Sequence, residues 1–438
     1  MKTLISSLLE TLQTCPSSQR IWIAYSGGLD SHLLLHTLAQ LRSQLKSELH
    51  AIHIHHHLHP EADNWAKHCQ QVCETLKIPC EIRHIQVKIA PRESLEANAR
   101  TARYAAISQL LEFDDLVLTA QHADDQAETV LLQLFRGAGV AGLAAMPLIS
   151  RLGLGWLVRP LLNYSRAQLH EYACQANLDW IEDPSNAETR FERNFLRHRI
   201  MPLLQQRWPS VNQVLTRVAH HQAEADELIQ TLAKQDWQTC KELAGPNQLF
   251  LPMLLRLNPA RQRNVLRFWL KQLKLPLPST SQLQHILTDI LTAKPDRQPL
   301  VQWQGAEVRR YHHHLFAMPN LPLPPKCLDS LNWTFPHPLS LPLGELVVTE
   351  SQEGGLVLPS GTTLQVHFRQ GGETFYWHGH HRKVKKLLQA EHLLPWERPF
   401  IPLIYIKDTL IAIPEIGIRD GFVTTEKKGW NLQWLRHF

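Results

Sequence analysis

A β-branched and aromatic run, Ile21-Trp-Ile-Ala-Tyr25, passes directly into Ser26-Gly27-Gly28-Leu29-Asp30-Ser31, and an apolar helical stripe of Leu33, Leu34, Leu35 and Leu38 follows. A strand, a glycine turn and a helix in immediate succession are the opening unit of a wound α/β fold. The pattern then repeats. Leu49–Ile54, Cys80–Val87 and Leu116–Ala120 read as further strands, with a helix at Ser94–Leu111 between the last two. Connections this short between strand and helix imply a parallel, doubly wound sheet over roughly residues 21–205. Ligands on such a sheet sit at the carboxyl ends of the strands, so the loops after Tyr25, Ile54 and Ala120 are the ones to follow.

Beyond this region the character of the chain changes. Val211–Trp237, Pro259–Leu273 and Ser279–Ala293 have helical periods, and a hairpin is expected around Leu300–Met318. Seven of the 28 prolines then crowd between Pro319 and Pro342, a density expected of a semi-rigid linker. The division expected is 1–208 for the sheet domain, 209–318 for a mainly helical domain, 319–345 for the linker and 346–438 for a small α+β module. In that module Leu364–Phe368 and Pro402–Ile406 read as strands and Lys385–Gln389 as part of a helix. No internal repeat is present.

At 438 residues the chain is too long for one core. Its 44% apolar and 19% charged content suits a folded chain and excludes wholesale disorder. No run of about 18 apolar residues occurs, so no membrane-spanning helix is expected. The start, with Glu10 early in its helical period, reads as an amphipathic helix and not as a signal peptide. Seven scattered cysteines suit reduced thiols in the cytoplasm. Cys69 and Cys73 lack CxxC spacing and are expected to pack a core. The net charge of +5 decides little. Its distribution says more: Arg190, Arg193, Arg197, Arg199 and Arg207 lie close together with Phe191, Phe195 and Trp208, and Arg382, Lys383, Lys385 and Lys386 fall within five positions. Arginine forks beside aromatic faces suit phosphate contact and base stacking; a solvated helix face is the plain alternative for both.

Two glycines after a strand bring backbone N–H groups close to an anion, the following helix adds its positive end, and Ser26 and Ser31 add hydroxyls. Glycines serving turn geometry alone are the plain alternative. The loop lacks the Lys-Ser or Lys-Thr of a Walker A motif, which separates it from γ-phosphoryl chemistry. Asp125 and Glu128 lie three apart at a helix start and share a face, with His122 just before them and Asp124 pointing elsewhere. Such acids often only complement the helix dipole. The run His53, His55, His56, His57 and His59 invites a zinc assignment, but no fourth ligand of matching spacing is evident, and imidazoles capping a strand end are the reading adopted.

Ser26-Gly-Gly-Leu-Asp-Ser31 resembles the pyrophosphate loop of the N-type ATP pyrophosphatases. Within that superfamily several motifs resemble the tRNA(Ile)-lysidine synthetase family. They are His55-His-His57-Leu58, Glu96-Ala-Asn-Ala-Arg100, His122-Ala-Asp124-Asp125-Gln-Ala-Glu128-Thr129, Arg136-Gly-Ala-Gly139, Arg159-Pro-Leu161, Trp180-Ile-Glu-Asp183 and Arg193-Asn194-Phe-Leu-Arg197. Gly379 to Trp396 resembles the family's C-terminal module, although His380-His381-Arg382 stands where the family pattern has a further glycine. The resemblance implies an adenine nucleotide α-hydrolase-like fold and a ligase that uses ATP and Mg²⁺. The reaction it implies is adenylation of the wobble cytidine of a CAU anticodon at its 2-carbonyl oxygen, followed by displacement of AMP by the ε-amine of L-lysine. It implies ATP on Ser26, Gly27, Gly28, Leu29, Asp30 and Ser31, with Mg²⁺ reaching Asp30 and no dedicated metal site. It further implies that Asp30, His122, Asp125 and Glu128 carry catalysis, and that Arg193, Asn194, Arg197, Arg382, Lys383, Lys385 and Lys386 contact the tRNA. Whether Asp125 and Glu128 hold Mg²⁺ or the lysine ammonium stays open, as does a homodimer. The rival readings are another tRNA-modifying enzyme with the same loop, such as a thiolase, which relies on cysteines; a glutamine-dependent amidotransferase; and an RNA-binding protein without catalysis.

Overall fold

The computed structural model describes residues 2–86, 95–241, 245, 247–294, 297–325, 330–352, 354–359, 361–424 and 428–436. Val87, Ser94 and Cys327, and the side chain of Glu96, lie outside these. The chain divides into two compact units, Met1–Leu228 and Ile229–Phe438.

The first unit runs α1 (Lys2–Thr14), β1 (Arg20–Ala24), α2 (Leu29–Leu41), β2 (Glu48–His55), α3 (Ala62–Thr75), β3 (Cys80–His84), α4 (Leu95–Leu110), β4 (Leu116–Leu118) and α5 (Ala123–Phe135). It continues through α6 (Val140–Leu143), β5 (Ile149–Leu152), β6 (Gly155–Val158), α7 (Arg166–Gln175), α8 (Glu192–Phe195), a π-turn over Leu196–Ile200, α9 (Met201–Arg207) and α10 (Val211–Lys241). The last helix passes the division between the units. The sheet order is β3-β2-β1-β4-β6-β5. All neighbours are parallel except the β5–β6 hairpin, so the expected doubly wound parallel sheet is present with one antiparallel edge strand added.

Alternation along β1 explains the two-sided packing. Ile21 and Ile23 join Leu33, Leu34, Leu35 and Leu38 of α2 on one face. Trp22 turns to the other, with Ile107 and Leu111. Each fully buried leucine or isoleucine contributes roughly 1.5–3 kcal/mol relative to exposure, so the apolar stripe, not the glycine turn, holds this unit together. Cys69 and Cys73 are buried in the first face.

The expectation missed β5 and β6. Their turn at Gly153, φ +58°, is a two-residue hairpin connection. β1 lies between β2 and β4, so the chain leaves it in opposite directions on its two sides. The loops after β1 and β4 therefore diverge from one point, where open α/β sheets take ligands.

The second unit starts with a small α+β body: β7 (Gln248–Phe250), α11 (Leu251–Leu255), α12 (Pro259–Gln272), α13 (Thr280–His285), β8 (Leu300–Trp303), β9 (Ala306–Tyr311) and β10 (His314–Met318). The expected hairpin is thus part of a four-stranded sheet, β7-β10-β9-β8. The stretch read as a linker carries β11 (Leu331–Thr334), β12 (Leu339–Leu341) and the start of β13 (Gly344–Ser351). β11 and β12 are edge strands of two sheets, which is where prolines beside a strand do the least damage. These sheets are completed by β14 (Gly355–Leu356), β15 (Thr363–Phe368), a hairpin of β16 (Thr374–Trp377) and β17 (His380–Lys383), α14 (Val384–Ala390), β18 (Pro402–Ile406), β19 (Thr409–Ile413), β20 (Gly417–Ile418), β21 (Val423–Thr424) and β22 (Gly429–Leu435). Phe316 and Met318 pack against Trp396, so the two parts of this unit share a contact. No helix among the described residues is long and apolar enough to cross a membrane.

Candidate active site

The loop after β1 is held by its own serines. Ser31 Oγ lies 3.0 Å from Ser26 Oγ, accepts from Ser26 N at 3.2 Å and donates to the Gly28 carbonyl at 3.0 Å. Gly27 has φ +84°, and a Cβ there would come within 2.5 Å of Ile181 Cδ1 and 3.1 Å of Cys69 Sγ. The Ile181 N–H also donates to the Gly27 carbonyl at 3.0 Å. Gly27 is therefore demanded by the fold. Gly28 is not: its φ is −73°, and a Cβ would meet nothing closer than 3.6 Å. No side chain caps α2 at Gly28, so its first-turn N–H groups and positive dipole end stay available to an anion.

On the other side of the switch point, His122 caps α5. Its Nδ1 accepts from Asp125 N at 3.4 Å, and Asp125 Oδ2 accepts from His122 N at 3.2 Å. The tautomer that accepts at Nδ1 carries its proton on Nε2, which lies 3.6 Å from Asp30 Oδ2 and 3.5 Å from Asp125 Oδ2. His122, only 2% exposed, thus stands between the glycine loop and the acids of α5. Asp124 lies off the Asp125–Glu128 face, as expected, accepting from Asn212 Nδ2 at 2.7 Å and Arg166 N at 2.9 Å, and its Oδ2 comes within 3.7 Å of His122 Nδ1.

Glu128 follows one turn later, and here the structure departs from expectation. Arg197, expected to reach the tRNA, turns inward: its Nε donates to Glu128 Oε1 at 2.7 Å and its Nη2 to Asp125 Oδ1 at 2.8 Å and Glu128 Oε2 at 3.0 Å. Arg193 pairs with Glu128 Oε2 at 3.2 Å and donates to Thr129 Oγ1 at 2.7 Å. Asn194 donates to the carbonyls of Ser185 and Glu188 at 3.0 and 3.1 Å. The physical reason is charge: Glu128 is 2% exposed, and a carboxylate that deep needs a cation. Of the arginines and aromatics of this segment, Arg190, Phe195, Arg199, Arg207 and Trp208 are left outward.

The three carboxyls differ in kind. Burial pushes Asp30 up, with His122 only partly opposing. Burial also raises Glu128 above the ordinary carboxylate range despite Arg197. For Asp125 burial is outweighed by His122, Arg197 and Arg193, and its carboxyl sits below the ordinary value. One acid is held ionised between two that hold protons more readily. Asp30 has no arginine within salt-bridge distance among the described residues, and its buried Oδ1 has no hydrogen-bond partner there. That oxygen fits a cation.

The basic cluster lies on another element. Arg382 and Lys383 on β17 and Lys385 and Lys386 on α14 are all exposed. The missing family glycine does not disturb the hairpin. Its turn is His378-Gly379, φ +52° and +75°, and both N–H groups donate to the Asp420 carboxylate at 3.2 and 2.7 Å. Sequence reasoning singled out neither Ile181, as the floor of the glycine loop, nor Asn212 and Arg166, as the anchors of Asp124. Only Ile181 fell within a quoted motif.

A family model described as a PP-loop domain matches residues 1–204, one for the TilS substrate binding domain matches 249–316, and one for the TilS substrate C-terminal domain matches 364–434. The tRNA(Ile)-lysidine synthase of Coxiella burnetii is 42% identical over 97% of this chain and 95% of its own length. That of Legionella pneumophila strain Paris is 39% identical over 94% and 95%, and that of Pectobacterium atrosepticum 40% identical over 98% of each. Set beside a glycine–serine loop bridged through one histidine to a carboxylate pair, matches of this length lead to one conclusion: the chain belongs to the tRNA(Ile)-lysidine synthase family.

Proposed function

We propose that this enzyme converts the wobble cytidine of tRNA(Ile) carrying a CAU anticodon to lysidine, consuming ATP and L-lysine and releasing AMP and diphosphate. The modified base pairs with A in place of G, and the tRNA is charged with isoleucine in place of methionine. The observation that carries this reading is the position of His122, within 3.6 Å of Asp30 in the loop and 3.5 Å of Asp125. Phosphate binding and amine chemistry are thereby brought to one place. No CxxC pair supports the thiolase alternative.

Ser26, Gly28 and the first turn of α2 receive the phosphates of ATP, and the close approach is what Gly28 allows. Mg²⁺ on Asp30 would neutralise phosphate charge as the α–β bond breaks. The cytidine 2-carbonyl oxygen attacks the α-phosphorus and diphosphate leaves. The lysine amine, with an unperturbed pKa of about 10.4, must shed a proton before it can attack. Asp125, held ionised, anchors the ammonium, and Glu128, whose carboxyl is raised, is the better proton acceptor. Arg193 and Arg197 keep both acids in place. Residues 1–208 perform the chemistry. The outward set Arg190, Phe195, Arg199, Arg207 and Trp208, the body 209–318 and the cluster Arg382, Lys383, Lys385 and Lys386 hold the tRNA, and the enzyme works in the cytoplasm.

The test is lysine incorporation and ATP–pyrophosphate exchange with the full chain and a tRNA(Ile) transcript. Exchange should require the tRNA, and Asp30→Ala should abolish it while tRNA binding persists. Exchange without tRNA, or an Asp30→Ala enzyme that still releases AMP, would overturn the assignment.

A further inference from the structure

The histidines at the end of β2 separate into distinct environments. His53 Nδ1 lies 3.0 Å from the Tyr25 carbonyl, His56 lies beside the Arg103 guanidinium at 3.4 Å, and His59 stacks on Trp65 with ring centres 4.7 Å apart. Each has a local partner. His55 and His57 instead face a third imidazole that sequence spacing could not supply: His84, which pairs in register with His55 across β2 and β3. The ring centres are 4.1 Å apart for His55–His57, 4.7 Å for His55–His84 and 5.0 Å for His57–His84. One ring nitrogen from each residue lies within 4.8 Å of those of the other two.

Three further observations point to an ion. His84 Nδ1 and His57 Nε2 share a hydrogen bond at 3.1 Å, a separation close to the roughly 3.3–3.4 Å edge of a tetrahedron with zinc–nitrogen bonds of about 2.0–2.1 Å, so an ion can replace the shared proton with little movement. His55 is 2% exposed, neither of its ring nitrogens makes a hydrogen bond among the described residues, and its Nε2 lies at ion-pair distance, 3.0 Å, from Asp63 Oδ1. A carboxylate on one imidazole nitrogen with the other free is how zinc-bound histidines are oriented. His57 also occupies a left-handed conformation, φ +54°, where glycine would be easier.

We propose that His55, His57 and His84 form a binding site for one divalent cation of the zinc class, with Asp63 orienting His55. Three neutral imidazoles coordinate through one nitrogen each, and the fourth position is left to solvent. The site joins the carboxyl ends of β2 and β3, one strand away from the glycine loop. It stabilises this edge of the sheet and takes no part in adenylation.

The full chain, stripped with EDTA, is titrated with Zn²⁺ against a chromophoric chelator and with Co²⁺ for the visible bands of a tetrahedral site. One ion per chain is expected. Asp63→Asn should weaken binding about 10–100-fold, and His57→Gly, at a position glycine suits, or His84→Ala by at least as much. Zn²⁺ should raise the melting temperature of the unsubstituted chain and not that of His57→Gly, while in EDTA the two melt alike, which separates ligand loss from misfolding. The exposed set His220, His221 and Glu224 provides the control, and His220→Ala with His221→Ala should leave affinity unchanged. Equal Zn²⁺ affinity in the unsubstituted chain, His57→Gly and His84→Ala would overturn the proposal, as would loss of binding in the control alone.

Discussion

Replacing Arg197 by alanine removes three hydrogen bonds at once, two to Glu128 and one to Asp125. Glu128 is 2% and Asp125 15% exposed in their side chains. Stranding a buried carboxylate costs about 3–5 kcal/mol. The lower end applies, because Arg193 stays on Glu128 at 3.2 Å and Arg197 itself is 22% exposed. About 3 kcal/mol corresponds to a roughly 150-fold larger open population of α5, read by faster amide hydrogen exchange of peptides from residues 123–135. Adding Glu128→Gln removes the stranded charge and should recover about half of the loss. Sign and pH follow together. Without the guanidinium, Glu128 is raised further above its unfolded value, so the folded chain binds the extra proton and stability falls as pH rises. The deficit should grow as the pH rises through the raised carboxyl's value and shrink on acidification. A less than fivefold change in exchange, independent of pH, would refute the account of Arg197 as the counter-charge of this pair.

Gly27→Ala should destabilise the first unit by at least the ~1–2 kcal/mol of left-handed strain, seen as a lower melting temperature. Gly28→Ala should keep that temperature and lose ATP in calorimetry. Asp125→Asn and Glu128→Gln should raise the KM for lysine and leave ATP affinity nearly unchanged; a loss confined to ATP would make these acids metal ligands. Neutralising Arg382, Lys383, Lys385 and Lys386 should flatten the dependence of tRNA affinity on salt by up to ~0.7–0.9 in log–log slope per lost contact, and an unchanged slope would leave the cluster a solvated face. Buried Glu397 is pushed up to about 7 by desolvation, against Arg436. Its folded value exceeds its unfolded one, so stability of the second unit should fall by up to about 3 kcal/mol as pH rises from 5 to 8. Glu397→Gln should flatten that slope in urea unfolding.

What could be read from the chain was whatever a local pattern encodes. β18 spans Pro402–Ile406 as expected, and the glycine loop, His122 and the acid pair stand together as their motifs suggested. Non-local facts were hidden. Spacing of four places Arg193 and Arg197 on one helix face, but their partner Glu128 lies 69 residues before Arg197, so nothing local says that the face turns inward. Proline density argued for a linker, whereas β11 pairs with β15 from Leu331–Val366 to Thr334–Thr363, a match between segments apart in sequence. His84 went unnoticed for the same reason, since its relation to His55 exists only across two strands.

The floor of the glycine loop also has a consequence for how the enzyme is made. Ile181 closes the underside of Gly27, and β1 has its second neighbour only when β4 exists. A ribosome releasing the chain from its amino end presents the nucleotide loop early, yet without floor, flanking strand or counter-charge until about residue 197 has emerged. Long sequence separations of this kind slow folding. They also keep a half-made chain from acquiring a competent nucleotide site, so ATP binding has to wait until the whole of the sheet domain has been made.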